Sequence, residues 1–543
     1  MVRTTPYLRI LTGCAALTLC GAAALASSGS RKPQQSAPAG TNLGAVSFSV
    51  SCAPDVQSKF DTGVALLHSF QYQQAEQAFQ DIAKADPTCA IAYWGEAMSL
   101  YHQLWDWPSP ETLSEGRADI MKAFRPAAKT EREREYVRAA AVFFQDNPKL
   151  THAQRLGAYS EVMGKLFKKY DDDVNAGAFY ALCLVAMPTN SKADELANRK
   201  AAIDILDKLF IVAPRNPGVA HYLIHAADTP ELASQGLAAA RRYARIAPDS
   251  SHALHMPSHI FVRLGMWQDT ISSNLAAADS AARATAANLA DSGYQFHAMD
   301  FLDYAYLQSG QAAKARALVD ELKNVVGASA QDIAINQALF AARNAIELRQ
   351  WKEAAALPIP DIPITQQDDT YFARGIGAAR SGDAVSAQAA LDKLKDIHAA
   401  QHAQMQQQGY GMSMNSGGSV SEQELEAWIT FAQGKSDDAV KQMRVAADRE
   451  DAAGVDSLTL PAREMLGDIL MELHRPSEAL EAYKIALKES PKRFDSLDGA
   501  ALAAEAAGKA TEARQFFAQL VATCGPGADR PELEDARVHL AKK

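Results

Sequence analysis

The sequence predicts an all-α protein built from stacked helix hairpins, and two features of the chain indicate this fold. The first is a spacing of 34 residues, because His221 and His225 are followed at that distance by His255 and His259. Thirty-four residues is the length of a helix-turn-helix unit, and each residue then returns to the same place on the next hairpin. The second is an alanine-rich composition with only 8% aromatic residues, which suits closely packed helices.

Length and charge limit the classes of protein that fit. A chain of 543 residues exceeds one compact core, so several domains or a repeat array are expected. An apolar content of 48% with 22% charged residues excludes wholesale disorder. The net charge of −10 argues against nucleic acid as a partner, since no basic stripe is available to neutralise phosphates.

The first 26 residues are predicted to be a secretory signal peptide. Arg3 and Arg9 precede the apolar stretch from Ile10 to Leu25, and Ala24–Ala26 supplies a small-x-small cleavage site. Residues 27–50, rich in Ser, Pro, Gln and Gly, are expected to be a flexible linker. We therefore expect an exported protein, periplasmic or extracellular.

A lipoprotein anchor is the alternative at the N-terminus, because Leu11 to Cys14 resembles a lipoprotein box. Arg9 leaves almost no hydrophobic stretch before that box, which disfavours it. No other run is apolar enough to cross a membrane, so no transmembrane helix is expected in the mature chain.

One pattern of residues recurs near both ends of the chain. It has a small pair on the first helix of a hairpin, alanine and aromatic positions on the second, and a closing proline. These residues are Leu466, Gly467, Ala479, Tyr483, Ala486 and Pro491, then Ala513 and Phe517, and at the other end Gly63, Ala75, Phe79 and Pro87. The pattern resembles the tetratricopeptide repeat family. The resemblance implies a superhelix, an α-solenoid of about ten hairpins, and a scaffold that binds a peptide or protein partner.

The repeats divide the chain into four further segments. Residues 51–150 are expected to form an N-terminal pair of repeats with an insertion, and residues 151–398 a central array. Residues 399–421, rich in Gln, Met, Gly and Ser, are predicted to be a mobile loop, and residues 422–543 a C-terminal array. Within the first segment, Cys52 and Cys89 flank the first hairpin, so a disulfide bond between them is expected after export.

In the tetratricopeptide family, five positions of the first helix of each repeat point into the concave groove. Three consecutive repeats of this chain carry histidine, carboxylate or tyrosine at such positions. The resemblance therefore implies a ligand groove lined by His221, His225, Asp228, His252, His255, His259, His297, Asp300 and Tyr304. A peptide bound through neutral histidines is one interpretation of this groove.

A metal ion is the other interpretation. Neighbouring helices 8–10 Å apart can share one ion through imidazoles at about 2.0–2.1 Å per Zn–N bond. His221, His255 and Asp300 occupy the same repeat position and are the expected ligand set. Nitrogen and carboxylate ligands suit Zn or non-haem Fe, and Cu is also compatible. The protein would then be a metal-dependent hydrolase or oxygenase, or a metal carrier.

Familiar catalytic motifs do not decide between these functions. The sequence from His221 to His225 has the two helical ligands of a zinc protease, but Tyr222 stands where the general-base Glu belongs. Pro257, between His255 and His259, is expected to interrupt a helix. Such a break among polar groove residues favours a functional site over a purely structural role. The sequence thus leaves enzyme, carrier and binding scaffold open.

Overall fold

A computed structural model describes residues 42–104, 107–126, 128–189, 191–407, 419–454 and 458–541. Regular secondary structure in these ranges is helical, so the predicted all-α class is confirmed. The described residues form two compact units. The first unit comprises residues 42–260 and 276–294, and the second unit comprises residues 261–275 and 295–541. Within these ranges, no helix has both the length and the apolar composition to cross a membrane.

The first unit consists of consecutive helices that pack against their neighbours in the chain. The bounds of these helices are Gln57–His68, Tyr72–Ala85, Ala90–Ser99, Pro110–Phe124, Glu131–Phe143, His152–Lys169, Val174–Ala186, Lys192–Val212, Pro217–Ala227, Ala233–Ile246 and Ser251–His255.

Phe79 shows why these hairpins need small residues at fixed positions. Its ring lies between Gly63 on one neighbouring helix and Gly95 on the other. A Cβ atom on Gly63 would come within 2.9 Å of the ring, and one on Gly95 within 2.3 Å. Both distances are shorter than van der Waals contact, so any larger side chain would push the helices apart.

Residues 42–50 correct the predicted linker of residues 27–50. They form no helix, but Leu43 and Phe48 are buried. The ring of Phe48 stacks on Trp94 at 5.5 Å, and its backbone nitrogen donates to Oδ1 of Asp61 at 2.8 Å. The linker prediction used the average composition of residues 27–50. Average composition does not reveal that a single aromatic side chain, here that of Phe48, is buried in the core. Residues 1–41, with the predicted signal peptide, lie outside the described residues.

Cys52 and Cys89 form a disulfide bond in the first unit, with their Cα atoms 4.8 Å apart. Cys89 is the residue before helix Ala90–Ser99, so the bridge ties this helix to the segment that precedes the first hairpin. The two sulfur atoms thereby close a loop around helices Gln57–His68 and Tyr72–Ala85.

Removal of this bridge is expected to destabilise the protein. Cys52→Ser combined with Cys89→Ser should lower the free energy of unfolding by about 4 kcal/mol, because a bridge across 37 residues restricts the unfolded chain. Urea unfolding of the non-reduced wild-type and variant proteins, followed by circular dichroism, measures this difference. Equal midpoints would contradict the prediction.

Three helices contain residues of both units, namely Pro257–Arg263, Trp267–Ala286 and Gly293–Gln308. The other helices of the second unit are Ala312–Glu321, Ala330–Glu347, Trp351–Ala355, Asp368–Arg380, Ala384–Gln407, Val420–Ala432, Ser436–Ala453, Ala462–Glu472, Pro476–Glu489, Phe494–Ala506, Ala510–Thr523 and Pro531–Ala541.

Tyr483 repeats in the second unit the arrangement of Phe79. A Cβ atom on Gly467 would lie 2.6 Å from its ring, and one on Gly499 would lie 2.4 Å from it. Tyr483 itself is buried, and its hydroxyl donates to Oδ1 of Asp468 at 2.7 Å. The same aromatic-between-glycines packing therefore occurs near both ends of the array.

Arg493 is the centre of a buried ionic cluster in the second unit. Its side chain is fully buried, and its Nη2 atom lies 2.6 Å from Oε2 of Glu347 while Nε lies 2.7 Å from Oε2 of Glu464. Nη1 also donates to the Tyr304 hydroxyl at 3.0 Å. Tyr304, which the sequence predicts in a ligand groove, is thus part of the packed interior.

Part of the predicted mobile loop of residues 399–421 is helical. Helix Ala384–Gln407 continues through residues 399–407, and residues 408–418 lie outside the described residues. Ser419 is the N-cap of helix Val420–Ala432, and its hydroxyl accepts from the backbone nitrogen of Glu422. Residues 399–407 are rich in Ala and Gln, which favour helix, so the preceding helix extends into the segment.

Candidate metal centre

Helix Pro217–Ala227 of the first unit carries the first histidine pair. Helix Pro217–Ala227 begins after Asn216, whose side chain accepts from the backbone nitrogen of Val219, and proline occupies its first turn. His221 and His225 are one turn apart on this helix, so their side chains lie on the same face. All residues of the helix are buried.

Pro257 divides the second histidine pair between two short helices. Helix Ser251–His255 ends before Met256, and helix Pro257–Arg263 follows. A proline nitrogen cannot donate a helical hydrogen bond, which accounts for the break predicted from the sequence. The break places His252 and His255 on one helix and His259 on the next.

His221, His225 and His252 form a cluster whose ring nitrogens converge. Nε2 of His221 lies 3.0 Å from Nε2 of His225 and 3.0 Å from Nε2 of His252. One ring nitrogen from each residue falls within 4.8 Å of the other two. We call these three residues the histidine triad. Three nitrogens at this separation surround a volume that suits one metal ion.

The hydrogen bond on the far side of His221 sets its tautomer. Nδ1 of His221 lies 2.7 Å from the backbone carbonyl oxygen of His68. A carbonyl oxygen only accepts, so Nδ1 donates and carries the proton. Nε2 of the neutral His221 ring then directs its lone pair towards His225 and His252. Metal-binding histidines are oriented by the same type of bond.

Burial favours the neutral form of His221 and His225. It lowers the pKa of His221 well below its usual range, and the neighbouring His225 lowers it further. Burial likewise lowers the pKa of His225, with additional contributions from His259 and His252. Neutral imidazoles are the form that coordinates metal.

A second pair of imidazoles lies beside the triad in the same unit. Nε2 of His255 is 3.0 Å from Nε2 of His259, and Nδ1 of His259 is 2.9 Å from Oδ2 of Asp228. The ring centroids of His225 and His259 are 6.2 Å apart. The predicted residues Asp228, His255 and His259 are therefore brought together.

The remaining predicted residues belong to the second unit. Oδ1 of Asp300 lies 2.7 Å from Nη2 of Arg343, and His297 packs edge-on against Phe301 at 5.3 Å. The set of His221, His255 and Asp300 as ligands of one ion stays a prediction. Within the first unit, His221 is instead grouped with His225 and His252.

The degree of burial corrects the expectation that the histidines line an open groove. The exposed fraction is 0% for His221, 9% for His225, 6% for His252 and 3% for His255. Helix Pro217–Ala227 packs on both its chain neighbours and on helix Gln57–His68, which covers the face that carries His221. A site of this kind suits a small ligand.

Phe70 is a part of the site that sequence reasoning missed. Its ring centroid lies 4.3 Å from that of His221, 5.7 Å from His225 and 5.6 Å from His252. Phe70 has a φ of 54°, a conformation unfavourable for a side chain with Cβ, at the turn two residues before a helix. Five other hairpins have glycine at this turn position, namely Gly265, Gly310, Gly382, Gly434 and Gly508. Arg349 and His474 occupy the same turn position with a φ of 54°, so a residue other than glycine there does not by itself mark the site.

His68 lies next to the triad, and its backbone carbonyl oxygen contacts His221. Its Nδ1 lies 3.0 Å from the Tyr222 hydroxyl, and its Nε2 lies 3.0 Å from Oδ1 of Asn175. Both ring nitrogens therefore have partners within the protein. Burial lowers the pKa of His68 to about 4 from an ordinary value of 6.5.

This pKa shift predicts a loss of stability on acidification. Below pH 6.5 the unfolded chain binds a proton at His68 that the folded chain does not bind until about pH 4. Stability is therefore fully present above pH 6.5 and falls by about 1.4 kcal/mol per pH unit as the pH drops towards 4. Urea unfolding at pH 7.0 and 5.0 should show a smaller pH-dependent loss in His68→Gln than in wild type. An equal loss would contradict the assignment.

Comparison with known proteins identifies the repeat. Residues 464–529 match the tetratricopeptide repeat family. No curated protein matches the sequence. Among solved structures, the human IFIT1 dimer with m7Gppp-AAAA is 13% identical over 84% of this chain and 94% of its own, with a TM-score of 0.37. A monomeric mutant of IFIT1 with Gppp-AAAA is also 13% identical, over 87% and 95% of the two chains, with a TM-score of 0.37.

At these values of identity and TM-score, we draw no argument from the IFIT1 structures. The matched segment contains Gly467, Tyr483 and Gly499, whose packing is described above. The equivalent packing of Phe79 extends the pattern to the first hairpin. Residues 464–529 therefore match the tetratricopeptide repeat, and the first hairpin is packed in the same way.

Proposed function

We propose that this protein binds a first-row transition-metal ion through the histidine triad of His221, His225 and His252. The observation that supports this function is the convergence of three Nε2 atoms, two of them each 3.0 Å from the third, in a buried position. Three converging imidazoles are a ligand set for zinc or copper. A non-haem iron site of the usual kind would need two histidines and a carboxylate.

Three protein ligands leave a coordination position for water or a substrate. This composition is typical of zinc sites that perform chemistry, whereas structural zinc sites have four protein ligands. The proposed function is thus a reactive metal centre on a helical-repeat scaffold. Metal analysis of protein purified without a polyhistidine tag tests it. After loading with Zn²⁺ and dialysis, at least one zinc ion per chain is expected. Fewer than one zinc ion per chain would overturn the proposal.

A scaffold for a peptide or protein partner is the second candidate function. The tetratricopeptide match at residues 464–529 favours it, because repeats of this family mostly bind other proteins. The two candidates make different predictions for the same sample. A scaffold that uses the histidines only for hydrogen bonds would retain no stoichiometric metal after dialysis.

We also propose that the protein is exported to the periplasm or the outside of the cell. Arg3, the apolar stretch and Ala24–Ala26 support this location, as does the pairing of Cys52 with Cys89, since disulfide bonds persist in oxidising compartments. N-terminal sequencing of the protein from its native host should give a start at about Ser27. An intact Met1 on cytosolic protein would contradict export, and lipid-modified Cys14 would indicate a membrane anchor.

A further inference from the structure

The pair formed by His255 and His259 repeats, beside the triad, the features expected of metal ligands. Two imidazole nitrogens 3.0 Å apart face each other across the break at Pro257. Histidines four residues apart supply two of the ligands in helical zinc sites. The exposed side-chain fraction of His259 is 16%, so the pair is close to solvent while His255 is buried.

Asp228 orients His259 in the way that carboxylates orient metal-binding histidines. Oδ2 of Asp228 lies 2.9 Å from Nδ1 of His259. The carboxylate accepts a hydrogen bond from Nδ1–H of His259, which leaves Nε2 as the ring nitrogen that faces His255. A carboxylate behind a histidine in this arrangement fixes the ring and makes the ligand nitrogen more basic. Asp228 occupies the C-cap of helix Pro217–Ala227, directly after the helix of His221 and His225.

The two groups of imidazoles are close enough for their ligands to be shared. The ring centroids are 6.2 Å apart for His225 and His259, and 6.2 Å apart for His252 and His255. Ions of two-metal sites lie about 3.5–4 Å apart and share a bridging oxygen. Water or hydroxide at such a bridge would complete the coordination of an ion that has two imidazole ligands.

We propose that His255 and His259 bind a second transition-metal ion, so that the first unit holds a two-metal centre with Asp228 as the positioning residue. This inference rests on the proposed function of the triad, because the second ion needs the first as its neighbour across the bridge. The ligand class is a divalent cation with a preference for nitrogen, such as Zn²⁺ or Cu²⁺.

Zinc stoichiometry tests the two sites separately. Tag-free mature protein is freed of metal, titrated with Zn²⁺, dialysed and analysed by inductively coupled plasma mass spectrometry. Two zinc ions per chain are expected in the wild type and one in His259→Ala. His255→Ala is the second variant and should also retain one. Circular dichroism checks that each variant keeps its helical content.

His152→Ala is the matched control, because His152 is a half-buried histidine of the same unit that stacks on Trp107 at 4.5 Å. It should retain two ions. Asp228→Asn should still bind both ions at saturating Zn²⁺. Its dissociation constant for the ion held by His255 and His259 should rise by about 10–100-fold.

The number of bound zinc ions shows which of the two proposed sites is present. One ion in the wild type that is unaffected by His255→Ala and His259→Ala would overturn the second site and leave the triad intact. Wild-type protein without zinc would overturn both proposals. Two ions with a loss of one in each of these variants supports the two-metal centre.

Discussion

His221→Ala is expected to abolish tight binding of the metal ion at the histidine triad. His221 is the central member of the triad, since its Nε2 atom lies 3.0 Å from those of both His225 and His252. Loss of a residue that only orients a ligand costs about 10–100-fold in metal affinity, so loss of the ligand itself should cost at least about 100-fold. Competition with a chromophoric zinc chelator measures this change in the dissociation constant.

The control for this variant is His152→Ala, which removes a histidine of the same unit without touching the triad. It should bind zinc with the wild-type dissociation constant. If His221→Ala retains wild-type zinc affinity and wild-type helical content, the triad is not a metal site. If His221→Ala unfolds, His252→Ala replaces it, because His252 contributes a single ring nitrogen to the triad from the neighbouring helix.

Arg493→Met is expected to lower the free energy of unfolding by about 3–5 kcal/mol. The fully buried guanidinium forms ion pairs with Glu347 and Glu464, which are themselves 3% and 1% exposed. Removal of one partner leaves uncompensated charge in the interior, and this is strongly destabilising. Burial already raises the pKa of Glu464 to about 7, and Arg493 acts against that rise. Urea unfolding followed by circular dichroism measures the loss.

Arg475→Met provides the matched comparison. Arg475 pairs with Glu478, but 35% of the Arg475 side chain and 44% of the Glu478 side chain remain exposed. An exposed pair of this kind contributes at most about 1 kcal/mol. Similar losses of stability in the two variants would contradict the role assigned to Arg493.

The hairpin repeat could be predicted from the sequence because its packing depends on residues at fixed spacing. Gly63 and Phe79, and likewise Gly467 and Tyr483, contact each other within one hairpin, so the pattern is local. The ionic cluster could not be predicted in this way. The burial of Glu464 depends on Arg493, which lies 29 residues later in the chain.

The candidate site was predicted in part. The spacing of the two histidine pairs indicated that the imidazoles gather, and the break at Pro257 was expected. The sequence could not predict which imidazoles contact each other, because these contacts depend on the direction of each short helix after the break at Pro257. The triad therefore includes His252, while Asp228 contacts His259. Phe70 contacts the triad from a turn far earlier in the chain, so local spacing does not reveal this contact.

The most direct test of the metal centre is a crystal structure of the zinc-loaded mature protein, with anomalous diffraction recorded on both sides of the zinc absorption edge. We predict an anomalous peak at about 2.0–2.1 Å from Nε2 of His221, His225 and His252. A well-ordered triad without such a peak, in crystals grown from protein of verified zinc content, would contradict the proposed function.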